Sequence, residues 1–167
     1  NDLVIGTYGR GIWILDDISP LQQLNNDITK KGVHLFDIKP SYRFQSVTST
    51  LQMFPEASTG QDPPSGASIN YWLDDSKDIK IVITNTTGDT VRTISDKGKK
   101  GINRVWWNYM GEKSDPIVMR TKPLYADWVS IGDNRTRNLP SNVSIMQPPG
   151  TYSVSIEFDG IISEKEM

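Results

Sequence analysis

The sequence contains no cysteine, which excludes disulfide bonds, thiol catalysis and cysteine-ligated metal sites. It has a single histidine, His34, and no Gly-x-Ser-x-Gly turn that would present a nucleophilic serine. No apolar run approaches the ~18 residues of a membrane span. Lys and Arg form no basic stripe of the kind that binds nucleic acid. What remains is 167 residues with a net charge of −2 and 36% apolar residues, which is enough for one well-packed domain.

The clearest structural signal lies in residues 150–158, where apolar and polar residues alternate. The apolar positions are Tyr152, Val154, Ile156 and Phe158. A period of two places all four side chains on one face of an extended strand. A Pro-Pro-Gly sequence precedes this strand, and Asp159-Gly160 follows it as a two-residue hairpin turn. The pattern predicts a half-buried antiparallel strand whose apolar face needs a second sheet to cover it.

Short apolar runs recur from residue 33 onward and give about seven predicted strands, separated by regular turn signals and almost no helix. This is typical of an all-β, immunoglobulin-like antiparallel β-sandwich, which we assign to residues 33–167. The likeness is architectural, because the Cys–Trp–Cys signature of antibody domains is absent. Trp106 and Trp107 are adjacent in one predicted strand and point to opposite faces, so we expect one to enter the core and the other to lie against a neighbouring segment. Another strand is predicted to begin at residue 42.

Residues 2–16 contain two nearly unbroken apolar runs on either side of a Gly-Arg-Gly sequence. The dinucleotide-binding fingerprint requires a third glycine and a following helix, and neither is present, so the pattern predicts a β-hairpin. Nearly continuous apolar strands are typical of strands that are buried on both faces. A lone two-stranded hairpin is only marginally stable in water. We therefore expect this hairpin, residues 1–18, to sit inside something larger or to pair with another chain.

Residues 19–32 are predicted to form a short helical linker between the hairpin and the sandwich. Ser19 is the expected N-cap and Pro20 the first helical residue. The helix is expected to run to about Asn26, and a glycine ends the connection.

Several stretches resemble one protein family. Residues 2–21, with the sequence Tyr-Gly-Arg-Gly-Ile-Trp at 8–13, are similar to the last blade and exit of sortilin-like, Asp-box (BNR-repeat) β-propeller proteins, which are often classed as glycosyl hydrolases. Residues 101–107 resemble a strand in the C-terminal sandwich of those proteins, which is itself similar to the immunoglobulin-like domain of flagellar hook-capping proteins. Residues 120–126 and the Pro-Pro-Gly-Thr-Tyr sequence at 148–152 match the same tail.

The resemblance implies that the hairpin belongs to the last blade of a β-propeller and that the rest of the propeller, with any catalytic or ligand site, lies upstream. It also implies a bacterial protein exported to the periplasm, the cell surface or the extracellular space. The Asp-box itself, Ser-x-Asp-x-Gly-x-Thr-Trp, does not occur in this chain, so no catalytic residue of the family is carried over. Because the chain begins with Asn1 and shows no signal peptide, we expect it to be a fragment of a longer precursor.

The sequence offers no convincing catalytic or metal site. Glycoside hydrolysis requires two carboxylates held roughly 5–9.5 Å apart across a sugar. The adjacent pairs Asp16-Asp17 and Asp74-Asp75 either point to opposite faces of a strand or lie in a turn. His34 is a strand residue with apolar neighbours, so we expect it to be structural. We therefore predict no catalytic residue, no cofactor, no metal and no enzymatic activity in this chain, whereas the resemblance implies a parent protein of glycosyl-hydrolase type.

Three functions remain, and they place different demands on the aromatic residues. The preferred hypothesis is a non-catalytic accessory module that caps the upstream propeller of the same polypeptide and mediates domain or partner contacts. One alternative is a carbohydrate-binding module that stacks exposed aromatic rings on sugars. Another is a module that contributes residues to a hydrolase site shared with the propeller. The candidate interface or glycan-stacking residues are Tyr8, Arg10, Trp13, Trp72, Trp106 and Trp128.

Overall fold

A computed structural model describes residues 2–44, 64–115, 124–125, 128 and 142–167. The chain divides into two compact units, Asn1–Tyr109 together with Pro149–Met167, and Met110–Pro148. The described residues form nine strands, all in antiparallel sheets, and two short helices. The all-β prediction is therefore confirmed, and seven of the described strands follow residue 32, as the turn signals predicted.

The elements follow one another in a simple order along the chain. They are β1 (Leu3–Gly6), β2 (Ile12–Leu15), α1 (Ser19–Gln23), α2 (Asn26–Thr29), β3 (Val33–Leu35), β4 (Ala67–Leu73), β5 (Lys77–Thr84), β6 (Thr90–Gly98), β7 (Gly101–Trp107), β8 (Ser153–Phe158) and β9 (Ile161–Glu166). The strand predicted to begin at residue 42 is wrong. Tyr42 and Phe44 are 78% and 81% exposed, so no burial against a sheet stabilises a strand there.

Seven strands form two sheets that share one core. The three-stranded sheet has the order β3-β4-β7 and the four-stranded sheet the order β6-β5-β8-β9. Side chains from both sheets make up the core: Val33, Leu35, Ala67, Ile69, Tyr71, Leu73 and Trp107 from the first, and Ile79, Ile81, Ile83, Val91, Val154, Ile156 and Phe158 from the second. Two antiparallel sheets that bury their apolar faces in a common core form a sandwich-like fold.

The alternating strand predicted near the end of the chain is confirmed. Its four apolar side chains are all buried: Tyr152, Val154, Ile156 and Phe158. The turn that follows is the predicted Asp159-Gly160 pair, with φ of +48° and +78°. Positive φ at both central residues is what a tight hairpin of the mirror-image turn type requires.

The adjacent tryptophans of β7 separate as the period of two demands. Trp107 points into the core and is 1% exposed, whereas Trp106 lies on the outer face of the three-stranded sheet and is 37% exposed. The Trp107 ring contacts the rings of Tyr152 and Tyr109 edge to face, with centroids 5.1 and 5.6 Å apart. The prediction that one of the pair enters the core is confirmed, and the structure identifies it as Trp107.

The linker contains two short helices where the sequence predicted one. Ile18 occupies the N-cap of α1 and Ser19 is its first helical residue, so the predicted Ser19 cap is wrong. Asn25 caps α2, because its Oδ1 accepts hydrogen bonds from the backbone N–H groups of Asp27 and Ile28, both at 3.0 Å. This cap starts a new helix where the first one would otherwise continue. Neither of the described helices is long and apolar enough to cross a membrane.

Candidate functional site

The six predicted interface residues fall in three places. They are Tyr8, Arg10 and Trp13 in the hairpin β1–β2, Trp72 and Trp106 on the outer face of the three-stranded sheet, and Trp128 in the unit Met110–Pro148. The structure therefore brings together only the hairpin residues and, on a separate element, the pair of sheet residues. The hairpin group lies in a continuous exposed apolar surface and is the strongest candidate.

Both faces of the hairpin are apolar. The register runs from Leu3 opposite Leu15 to Gly6 opposite Ile12. One face carries Leu3, Ile5, Trp13 and Leu15, and the other carries Val4, Ile12 and Ile14. The exposed fraction of these side chains runs from 42% at Leu3 to 73% at Ile12. Antiparallel strands with one face in water normally have polar residues on that face, so this composition fits a strand pair that is covered on both sides.

The hairpin also has two open backbone edges. The N–H of Thr7 donates to the carbonyl of Gly11 at an N–O distance of 2.8 Å, which makes them a hydrogen-bonded pair. Hydrogen-bonded and non-hydrogen-bonded pairs alternate along an antiparallel ladder. The N–H and C=O groups of Ile12 and Ile14 therefore point away from β1. In the part of the chain that the structure describes, no third strand pairs with β1 or β2.

The tip of the hairpin is closed by its own hydrogen bonds. The N–H of Arg10 donates to the carbonyl of Thr7 at 3.1 Å, and the N–H of Gly11 donates to the Thr7 hydroxyl at 3.0 Å. A phosphate-binding loop leaves such N–H groups free to meet the anion. The Gly-Arg-Gly sequence is therefore a turn, and the Tyr8 side chain at its tip is fully exposed.

Arg104 of β7 fastens the hairpin exit to the outer face of the three-stranded sheet. Its Nε donates to Oδ1 of the buried Asn70 at 2.7 Å. Its terminal nitrogens donate to the carbonyl oxygens of Asp16 at 3.4 Å and Asp17 at 3.1 Å. The Asp17 carboxylate lies 3.8 Å from Arg104 and accepts a hydrogen bond from Lys39 Nζ at 2.5 Å. We call Asp17, Lys39, Asn70 and Arg104 the Asp17 clasp.

Asp17 is held in its charged form. Burial by itself raises the pKa of this carboxyl, but hydrogen bonds from Lys39 and Ser19 and the Lys39 charge outweigh that effect and lower the pKa from 3.8 to about 2. The same hydrogen bond raises the pKa of Lys39. A carboxylate that stays ionised down to this pH is a poor general acid near neutrality. Asp17 is therefore an electrostatic anchor for the chain between hairpin and sandwich.

Asp17→Asn is expected to lower the free energy of unfolding by about 1–2 kcal/mol at pH 7, because it removes the charge-assisted hydrogen bond from Lys39 and the ion pair with Arg104. The folded-state pKa is depressed, so this stabilisation is present above the unfolded pKa of 3.8 and is lost as the pH falls through about 2. Urea unfolding of the original chain and of Asp17→Asn at pH 7 and pH 2 measures this difference in the free energy of unfolding. Asp75→Asn, in an exposed turn, is the control and should change little. A difference as large at pH 2 as at pH 7 contradicts a charge-based clasp.

The outer face of the three-stranded sheet carries Trp72 and Trp106 with the Asn70–Arg104 pair between them. Trp72 is half-buried, and its Nε1 has no hydrogen-bond partner among the described residues. It lies opposite His34 of β3 in the sheet register. The clasp thus interrupts the surface between the two indole rings.

His34 has a packed environment. Its ring meets that of the buried Phe36 edge to face, with centroids 5.3 Å apart. Burial, with the positive charges of Lys31 and Lys165, lowers the pKa of His34, so the imidazole is neutral at pH 7. Across the described ranges, no group of three or more His, Cys, Asp or Glu side chains is arranged to hold a metal ion.

An open groove with a volume of about 660 Å³ lies over one end of β5, β6 and β8. Its charged lining residues have both signs: Asp78, Lys80, Asp96, Lys97, Glu157 and Asp159. Asp96 accepts a hydrogen bond from the hydroxyl of the buried Tyr71 at 2.6 Å, and burial together with this bond raises the pKa of Tyr71. Asp96 is therefore committed to a structural bond across the end of the core.

The hairpin with its clasp is the surface best suited to binding, because it alone among these places combines exposed apolar faces, open backbone edges and a fixed attachment. The groove has mixed charges, and the outer sheet face is interrupted. Comparisons of the chain with protein-family models, with curated proteins and with solved structures found no match.

Proposed function

We propose that this chain is a non-catalytic accessory module of an exported bacterial β-propeller protein of the sortilin-like, BNR-repeat type. In this proposal the sandwich is immunoglobulin-like and the hairpin β1–β2 belongs to the last blade of the propeller. Residues 19–32 then lead the chain from the propeller to the sandwich. The module caps the propeller and mediates contacts with a neighbouring domain or partner.

The main support for the accessory-module proposal is that both faces of the hairpin are exposed. Seven apolar side chains stand there with 42–73% of their surface in water. Burying a Val, Leu or Ile side chain fully contributes about 1.5–3 kcal/mol. Covering the remaining surface of all seven therefore stabilises the hairpin by on the order of 5–10 kcal/mol. A blade packed between neighbouring elements covers both faces at once, which a single partner docked on one face does not.

The Asp17 clasp supports the same proposal. A module that caps another domain needs a defined orientation relative to it, and a flexible linker does not provide one. Arg104 binds the backbone immediately after β2 and is itself positioned by Asn70. The hairpin therefore leaves the sandwich in a direction set by hydrogen bonds on the rigid sheet.

The carbohydrate-binding alternative rests on Trp13, Trp106 and Trp128, which are 69%, 37% and 82% exposed. Stacking on a sugar chain is strongest when aromatic rings share one flat surface. Trp13 is on the hairpin, and Trp106 shares its face with a half-buried Trp72 across the clasp. The geometry thus favours the capping function.

A hydrolase site shared with the propeller would have to use carboxylates near the hairpin, and there Asp17 is already committed to Lys39.

Hydrogen exchange tests the capping function. In the 167-residue chain, the amides of β1 and β2 should exchange faster than those of β4, β5 and β8. In a longer chain that includes the preceding residues of its gene, we expect hairpin amides to slow by at least about tenfold, with the sandwich unchanged. The control is the longer chain with Ile14→Asp, which places a charge on a covered face and should lose the added protection. Hairpin amides that exchange equally fast in both chains contradict the proposal.

A further inference from the structure

Strand β2 is flanked by opposite charges at equal distances from Trp13. Arg10 lies three residues before Trp13, and Asp16 lies three residues after it. Residues 11–15 between them include no charged residue and no proline. Edge strands that remain unpaired are usually protected by charge, proline or a bulge. The β2 edge has no such protection along its length, and its ends are complementary in charge.

We propose that β2 pairs with β2 of a second copy of this chain, antiparallel and about a two-fold axis through Trp13. The two hairpins then form one four-stranded sheet with the order β1-β2-β2-β1. The alternation of backbone hydrogen-bonding groups along β2 is compatible with this register. Ile12 and Ile14 direct their N–H and C=O groups away from β1, so Ile12 of each copy forms a hydrogen-bonded pair with Ile14 of the other.

The side chains agree with the same register. Trp13 faces Trp13 of the second copy at a non-hydrogen-bonded position, where side chains approach most closely and aromatic pairs are favourable. Beyond each end of the paired strands, the register brings Arg10, in the turn of one copy, toward Asp16 of the other. Both residues are exposed. The two-fold axis therefore produces two opposite-charge pairs and no like-charge contact.

The Arg10–Asp16 pair forms only between copies. Arg10 lies in the turn before β2 and Asp16 follows its end, and the four residues of the strand between them span about 13 Å at ~3.3 Å per residue. Within the hairpin, the register that places Leu3 opposite Leu15 brings Asp16 across from Asp2, away from the turn that holds Arg10. Any energetic coupling between Arg10 and Asp16 therefore reports contact between two chains.

A second copy fits β2 better than it fits β1. The β1 edge includes Gly6, which weakens a strand, and the segment 2–7 has the acid Asp2 but no base to face it. Pairing of β1 with β2 of another copy would leave open edges and propagate, whereas β2 with β2 closes at two copies. The inference does not rest on the proposed propeller, and it leaves β1 available to continue a blade.

A charge swap tests the dimer in the intact 167-residue chain by sedimentation equilibrium. Arg10→Asp alone places two acids opposite each other, and Asp16→Arg alone places two bases opposite each other. Each is expected to raise the dimer dissociation constant by about tenfold, because two symmetric pairs change sign. The double variant Arg10→Asp/Asp16→Arg should return to within about threefold of the original value. Asp75→Arg makes the same charge change as Asp16→Arg, but on an exposed turn outside the hairpin, and should have no effect on the dimer dissociation constant.

Ile14→Pro gives a second measurement on the same edge. It removes an N–H that points away from β1, so the variant is expected to be monomeric while circular dichroism and unfolding of the sandwich are unchanged. The dimer is overturned if the original chain is monomeric up to about 1 mM, if it assembles beyond two copies, or if single swaps weaken it without rescue by the double variant. These outcomes leave the propeller proposal standing, since hydrogen exchange in the longer chain tests that separately.

Discussion

Replacing Trp107 by alanine is expected to lower the free energy of unfolding by about 3–5 kcal/mol, the range for truncating a buried aromatic side chain. Trp107 is 1% exposed, and its ring packs edge to face against Tyr152 and Tyr109. Its removal leaves a cavity between the two sheets and takes away both ring contacts. Urea denaturation followed by tryptophan fluorescence and circular dichroism measures the change.

The neighbouring tryptophan provides a matched control. Trp106→Ala makes the same chemical change one residue earlier, on the outer face, where 37% of the side chain is already in water. We expect a loss of about 1 kcal/mol or less there, since no closed cavity is formed. Equal losses for the two variants would show that the assignment of the strand faces is wrong.

Gly66→Ala is expected to cost about 3 kcal/mol or more, because two effects add. Gly66 has a φ of +139°, a conformation that side chains of L-residues rarely adopt. A Cβ at this position would also lie 2.3 Å from the carbonyl oxygen of Trp107. That oxygen belongs to the strand paired with β4, so relief requires the start of β4 to separate from the end of β7.

Two other glycines separate the effects at Gly66. Gly101 has a φ of +106° with no atom within 4 Å of a built Cβ, so Gly101→Ala reports backbone strain alone, about 1–2 kcal/mol. Gly150 has neither a positive φ nor a close neighbour, so Gly150→Ala should be nearly neutral. Urea unfolding of all three variants gives the series. A Gly66→Ala cost no larger than that of Gly101→Ala would mean that the approach to Trp107 carries no strain.

The parts of the fold that the sequence predicted are those where a local pattern decides the outcome. The alternation in β8 fixes which side chains are inward, and the Asp159-Gly160 pair fixes the turn. Periodicity does not say which of two adjacent tryptophans is buried, because either choice satisfies a period of two. The pairing of Trp107 with Ala67 across the sheet settles it, and this pairing joins segments far apart in sequence.

The Asp17 clasp was not predicted, again because it joins segments that are far apart in sequence. Arg104 occupies an outward position in its strand, where a charged residue usually faces solvent, and its contacts with the Asp17 backbone span 87 residues of sequence. Asn70, a polar residue in the middle of a largely apolar strand, was the available signal. The second linker helix also had a local signal, the Asn25 cap, which the Ser-Pro pattern at residues 19–20 obscured.

The pairing of β5 has a consequence for how the protein is synthesised. Within the four-stranded sheet, β5 lies between β6, which follows it directly, and β8, which is separated from it by the whole unit Met110–Pro148. A ribosome that adds 5–20 residues per second needs roughly 4–15 s to go from the end of β5 to the end of β8. During that interval the β5–β6 hairpin forms quickly from local contacts, while the other edge of β5 stays unpaired. The nascent sandwich therefore presents an open, isoleucine-rich strand edge until β8 has been translated.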